Sequence, residues 1–241
     1  MITRKNSLTD EEFVYWILWK SELPYFEIIL PDCPYQVMLN EALAVKDLFV
    51  HHRDKDELHE KEISNKGDYG HKGWKSVCIH GESLHRTENY NEYDDNKGKH
   101  ESEVDYKWIP EIIERCPETV RYFKEYFPQT DYQRLRFMWL DPKGYIQPHN
   151  DIPFSILGPI NISLNNPIGC EFKMEDVGIV PFKDEGSAFL MNLSHIHSVT
   201  NNSDIPRIHI ISHGKPNKNF NKVVLDSYKT YLKKIEDSQN S

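Results

Sequence analysis

DYQRLRFMWLDPKGYIQPHND (131–151) and GSAFLMNLSHIHSVTNNSDIPRIHIISH (186–213) decide the reading of this chain. In RLRFMWL and RIHIIS, large apolar residues alternate with polar ones. A period of two is the signature of a strand whose faces meet different surroundings. Between them lie INISL and CEFKM, and Gly, Pro and Asn separate the runs. RLRFMWL, YIQPHND, INISL, CEFKM, GSAFLMNL, HSVTN and RIHIIS therefore read as seven short strands of a sandwich or barrel of the jelly-roll kind.

Outward from this core the chain turns helical. WKSVCIH (74–80) reads as one further strand, and 108–127 as a helix between Pro110 and Pro128. Thr9 and Glu12 have capping-box spacing ahead of FVYWILW (13–19), which starts the first helix. MLNEALAVKDLFVHHRDKDELHEKE (38–62) reads as a second, more polar helical region, and 86–106 as an exposed loop. Val224, Leu225, Tyr228, Tyr231, Leu232 and Ile235 recur at helical spacing. That tail reads as a helix on the barrel, with a dimer contact as the alternative. The expected organisation is a helical region at 1–65 packed on the barrel, a β core at 66–214 and a C-terminal helix at 215–241. The fold class is mainly β with flanking helices (α+β), a double-stranded β-helix of the jelly-roll or cupin-like kind.

The 241 residues carry a net charge of −9 with 38% hydrophobic residues, which supports one sizeable core. The acidic balance argues against non-specific binding to nucleic acid or anionic lipid. No apolar run reaches membrane-spanning length, and no signal-peptide pattern opens the chain. Cys33, Cys78, Cys116 and Cys170 form no CxxC pair, against a cysteine zinc site or a disulfide scaffold. A cytoplasmic protein is expected.

With 12 His and 17 Asp, chance alone gives about one His-x-Asp triplet. His52-Arg53-Asp54 falls in the expected polar helix, where positions i and i+2 diverge, and reads as a solvated face. His149-Asn150-Asp151 follows a strand, where i and i+2 project together. A 2-His-1-carboxylate face for iron(II) needs one more histidine from another strand. His195, His197, His209 and His213 are the candidates. His195 and His197 share one strand face, so geometry does not separate them. Arg207 follows the turn Asn201–Pro206 and would bring a guanidinium, which grips a carboxylate bidentately.

Three pieces occur in a known order: RLRFMWLDPKGYIQPHND, NISLNNPIGCEF and DEGSAFLMNLSHIHSVTNNSDIPRIHI. GHKGWKSVCIHG (70–81) precedes them. Together they resemble the Fe(II)/2-oxoglutarate oxygenases, and within these the aspartyl/asparaginyl β-hydroxylase family. The first 65 residues and the tail lie outside the resemblance. It implies His149, Asp151 and His197 as iron ligands, and Arg207 on the distal carboxylate of 2-oxoglutarate. Asp151 places the chain nearer the proline cis-hydroxylase-like branch than the branch lacking that carboxylate. The family often has Arg-x-His on the strand after the first ligands; Asn161 and Ser163 stand there.

The implied activity is a dioxygenase using Fe(II), 2-oxoglutarate and O2. It would hydroxylate an unactivated C–H of an amino acid, free or in a peptide, releasing succinate and CO2. Expected co-substrate contacts are Arg207, Arg136 and Ser163. Expected substrate contacts are Arg134, Asn161, Asn165 and His209. The competing readings are a non-catalytic cupin-like metal or small-molecule binding protein, and an oxygenase acting on a nucleotide-type substrate.

Overall fold

The computed structural model describes residues 8–62 and 69–239. The strands are β1 (Tyr25–Ile28), β2 (Val50–His51), β3 (Glu57–Leu58), β4 (His71–Gly81), β5 (Lys107–Trp108) and β6 (Gln129–His149). They continue with β7 (Ile160–Ser163), β8 (Cys170–Met174), β9 (Gly178–Ile179), β10 (Ser187–Met191), β11 (His197–Asn201) and β12 (Arg207–Pro216). The helices are α1 (Asp10–Lys20), α2 (Tyr35–Ala44), α3 (Pro110–Arg115), α4 (Pro117–Glu125) and α5 (Phe220–Gln239).

All strand pairs are antiparallel, in the order β1-β10-β7-β12-β6-β11-β8-β9, with β4 on the far side of β6. β6 belongs to two layers. Its first half pairs with β12, and its last residues pair with β11. The sheet therefore curls into the expected double-stranded β-helix. Leu140 and Ile146 of β6, Phe172 and Met174 of β8, Phe189 and Met191 of β10, and Val199 of β11 share one buried cluster. These are residues of the two facing layers.

RLRFMWL and YIQPHND were expected as separate strands. They are one 21-residue strand bent through Asp141–Gly144. Lys143 has φ 61° there, and a Cβ on Gly144 would lie 2.8 Å from the backbone oxygens of Asp141 and Lys72. Glycine permits β4 to cross this bend closely.

The alternation along the strands sets the character of each face. Leu135 and Phe137 of β6, Ile208 and Ile210 of β12, and Ile160 and Ile162 of β7 join the helix-side core. Arg134, Arg136, Arg207, His209 and Asn161 fall on the opposite face, into the barrel. α1 starts at the expected Thr9–Glu12 capping box and buries Phe13, Val14 and Ile17. α5 packs on α1 and β1: Tyr228 meets Phe13 edge-on at 5.1 Å, and the Ile29 amide donates to Ser227 Oγ.

Several expectations change. The helix in 38–62 stops at Ala44, and short turns and β2 and β3 follow. Pro117, which lacks an amide hydrogen, splits 108–127 into α3 and α4. The 86–106 segment is not simply solvated, because Thr87 and Asn96 are buried. All four cysteines are free thiols. No helix among the described residues is long and apolar enough to cross a membrane.

Phe137 is fully buried between β6 and the helices. Phe137→Ala should cost about 3–5 kcal/mol. Thermal unfolding should show a drop in Tm of roughly 10 °C.

Candidate metal centre and active-site cleft

β6 ends on His149 and β11 begins on His197, and the two are direct partners across the antiparallel ladder. Their ring centroids lie 4.3 Å apart. Asp151 follows two residues after His149, its backbone tied by its amide to the Leu193 carbonyl at 3.0 Å. Asp151 Oδ1 is 3.5 Å from His149 Nε2, and Oδ2 is 3.8 Å from His197 Nε2. One donor atom from each residue falls within 4.8 Å of the others. No other such group of His, Cys, Asp and Glu occurs among the described residues.

The tautomers suit a metal. His149 Nδ1 donates to the Gln147 carbonyl at 2.8 Å, and His197 Nδ1 donates to the His195 carbonyl at 2.9 Å. A proton on each Nδ1 leaves both Nε2 lone pairs free toward Asp151. Burial, then the neighbouring His197, holds the His149 pKa down to about 4, while Asp151 opposes this. The imidazole is thus neutral and ready to ligate. Tyr69 stacks on His149 at 3.7 Å, and Phe172 stacks on His197 at 5.2 Å. Arg53 donates to the Tyr69 hydroxyl at 3.2 Å and pairs with Glu88 at 3.3 Å.

His195 lies in the turn before β11 rather than on a shared strand face. It contributes its backbone carbonyl to His197. His213 is on β12 opposite Arg134. His52, expected on a solvated helix, is 4% exposed. Its Nδ1 meets Ser76 Oγ at 2.8 Å, its Nε2 meets Glu88 at 3.1 Å, and its ring lies 4.1 Å from that of Trp74.

A cleft of about 780 Å³ joins His149, Asp151 and His197 to Arg207, His209 and Arg136. Arg207 is 7% exposed and makes no ion pair among the described residues. Its Nε donates to Asn166 Oδ1 at 3.2 Å, and its guanidinium lies 5.6 Å over the Phe182 ring. Burial holds its pKa down to about 9, so it stays charged at neutral pH. His209 is 1% exposed, with Nδ1 2.7 Å from Asn161 Oδ1 and 3.2 Å from Arg207 Nη2. Its Nε2 has no partner. A buried cation without an acid is a seat for an anion.

Two expected contacts are otherwise engaged. Asn165 donates to the Pro206 carbonyl and accepts from the Ile208 amide, so its side chain fastens β12 rather than facing a ligand. The Ser163 hydroxyl donates to the Lys183 carbonyl at 3.2 Å. Arg134 and Arg136 line the same cleft, away from Arg207 along β6.

The aspartyl/asparaginyl beta-hydroxylase family model matches residues 34–215. The chain belongs to this family. As a member of the aspartyl/asparaginyl β-hydroxylase family, it is a 2-oxoglutarate-dependent dioxygenase using Fe(II), 2-oxoglutarate and O2. The match starts at residue 34, so 34–65, expected outside the resemblance, lie inside it. No curated protein aligns significantly with the chain. Among solved structures, a Burkholderia pseudomallei oxidoreductase of the 2OG-Fe(II) oxygenase family aligns over 90% of this chain and 97% of that one. The identity is 13% and the TM-score 0.41. A Trichoplax adhaerens prolyl hydroxylase, in complex with a hypoxia inducible factor peptide fragment, aligns over 88% and 90%, at 13% identity and TM-score 0.42. A Pseudomonas putida prolyl-4-hydroxylase aligns over 80% and 93%, at 9% identity and TM-score 0.39.

His149→Ala and His197→Ala should each weaken Fe(II) or Co(II) binding by at least ~100-fold. His195→Ala should leave it unchanged. Anaerobic calorimetry reads all three; equal losses in all three would contradict this ligand set.

Proposed function

We propose that this cleft hydroxylates an unactivated C–H bond of an amino acid, free or within a peptide. His149, Asp151 and His197 hold the iron, and Arg207 takes the distal carboxylate of 2-oxoglutarate. The observation that carries the reading is the conjunction of two buried features. One is a pair of cross-strand imidazoles with free Nε2 atoms beside a carboxylate. The other is a buried, acid-free guanidinium in the same cleft.

Iron(II) bound there with 2-oxoglutarate and O2 supplies the oxidising power that turns C–H into C–OH, with succinate and CO2 as by-products. The chain's own residues do the rest. Three protein donors, His149, Asp151 and His197, would hold the iron and leave room on it for co-substrate and oxygen. Arg207 orients the diacid through its planar fork. His209 Nδ1 donates to Asn161 Oδ1, which fixes that ring beside Arg207 and helps hold the guanidinium in place. Of this trio only Asn161 stands where the Arg-x-His pattern is missing; Arg207 and His209 come from β12. Phe172, Phe182 and Met191 make an apolar wall that keeps water from the reacting groups.

The test is a coupled assay. Protein, Fe(II) and 2-oxoglutarate are incubated with free amino acids and peptides, and succinate and a +16 Da product are followed. Substrate-dependent succinate matched mole for mole by hydroxylated product is the expected result. Iron-loaded protein that never consumes 2-oxoglutarate would contradict the reading. Arg207→Ala should weaken 2-oxoglutarate by roughly 100-fold, about 3 kcal/mol, with iron affinity retained. His209→Ala should weaken it by about tenfold.

A further inference from the structure

His149 and His197 are covered by different means. The His197 ring stacks at 5.2 Å on Phe172, a hydrocarbon ring fixed in β8. The His149 ring stacks on Tyr69 at 3.7 Å, with 11° between the planes. Covering the imidazole makes no use of the Tyr69 hydroxyl. That hydroxyl instead accepts from Arg53 Nη2 at 3.2 Å. The Arg53 guanidinium lies 5.5 Å from the Tyr69 ring and 5.6 Å from the Trp74 ring. Its Nη1 is 3.3 Å from Glu88 Oε1 and 3.4 Å from Glu92 Oε2. Segments distant in sequence, around Arg53, Tyr69 and Glu88, therefore meet behind one ligand ring.

The backbone at Tyr69 is held as well. His71 Nδ1 donates to the Tyr69 carbonyl at 3.1 Å, and the Gln147 amide donates to the Gly70 carbonyl at 2.8 Å. Gln147 is also the residue whose carbonyl takes the His149 Nδ1 proton. One residue of β6 thus ties both partners of the stack, Gly70 through its amide and His149 through its carbonyl.

A hydrogen bond at Nδ1 lies in the plane of the imidazole and leaves the tilt of that plane soft. An aromatic face in contact resists the tilt. It resists only as far as it is itself fixed, and the Arg53 bond to the hydroxyl fixes it. The Arg53 side chain is 30% exposed and that of Glu88 16%. A partly exposed ion pair adds little to stability. Its effect here is geometric.

We propose that Tyr69 is a positioning residue for the iron ligand His149, and that Arg53, braced by Glu88, locks it in place. This rests on the metal reading of His149, Asp151 and His197. Groups behind a metal-bound imidazole set its orientation, and losing one costs roughly 10–100-fold in metal affinity.

The test loads the protein anaerobically with Co(II) alone. Its visible d–d bands report the ligand field, and calorimetry reads the affinity. Tyr69→Leu should weaken Co(II) by roughly tenfold and shift the bands. Tyr69→Phe keeps the stack and loses the tether, so a loss of roughly threefold is expected, and Arg53→Met should match it. The double variant, Arg53→Met with Tyr69→Phe, should be no weaker than either single one, because both cut the same link. Tyr25→Leu loses an edge contact to Phe189 without touching a ligand, and should leave bands and affinity unchanged. In turnover, Tyr69→Phe should lower kcat and leave the KM for 2-oxoglutarate unchanged, since Arg207 is untouched. Wild-type bands and affinity in folded Tyr69→Leu overturn the positioning role, whatever the Tm. Should that variant not fold, wild-type bands and affinity in both Tyr69→Phe and Arg53→Met overturn the proposal instead. Additive losses in the double variant overturn the Arg53 lock. Co(II) bands that persist in His149→Ala sink the metal reading on which the proposal rests. A centre that responds to Tyr69→Leu in a protein that never consumes 2-oxoglutarate sinks the oxygenase reading and keeps the positioning role.

Discussion

The structure turns on one cross-strand pairing, His149 of β6 against His197 of β11. Register in an antiparallel ladder is all-or-none: a slip of one residue sends every side chain to the other face. Here a slip would separate the two imidazoles and turn one of them outward. The pairing is secured from both sides. β11 is also bonded to β8 over its whole length, and His197 stacks on Phe172 of that strand. β6 is held by β4 along most of its length, and Tyr69, just ahead of β4, covers the His149 ring. Asp151 needs no strand of its own, because the turn tied to Leu193 carries it back to the pair.

The second constraint is the inverted use of alternation. In many sheets the apolar face is the interior and the polar face is wet. Here Leu135 and Phe137 of β6 and the isoleucines of β7 and β12 face the helices, which leaves the barrel interior between them for arginine, histidine and asparagine, beside the inner cluster of Leu140 and Ile146. That is why five helices accompany a barrel among the described residues: they cover an outer face that would otherwise expose Leu135, Phe137, Ile162 and Ile210. The price is a set of buried polar groups, several of which remain unpaired, at His209, Arg136 and His213. They lie in the cleft, where a ligand can complete them.

Much of this was legible in the sequence. Period-two runs pointed to the barrel, and the His149–Asp151 spacing, read with the family resemblance, pointed to the cluster that His197 completes. The rest depended on tertiary contacts that periodicity does not encode. The fusion of two runs into β6 comes from partners on both sides of Asp141–Gly144, not from local propensity. His52 read as solvated because its neighbours are charged, yet β2 carries it under Trp74 and beside Glu88. Asn165 read as a pocket residue because it continues the polar stripe of Asn161 and Ser163, yet its amide binds the β12 backbone. Arg53, Tyr69 and Glu88 gave no signal, since they reach the cleft from distant segments.

The most direct test of the account is an anaerobic titration of the protein with Fe(II) and 2-oxoglutarate, followed in the visible range. The account predicts a charge-transfer band that needs both components, vanishes in His149→Ala and weakens in Arg207→Ala. Iron that binds to the wild-type protein without any band on adding 2-oxoglutarate would contradict it.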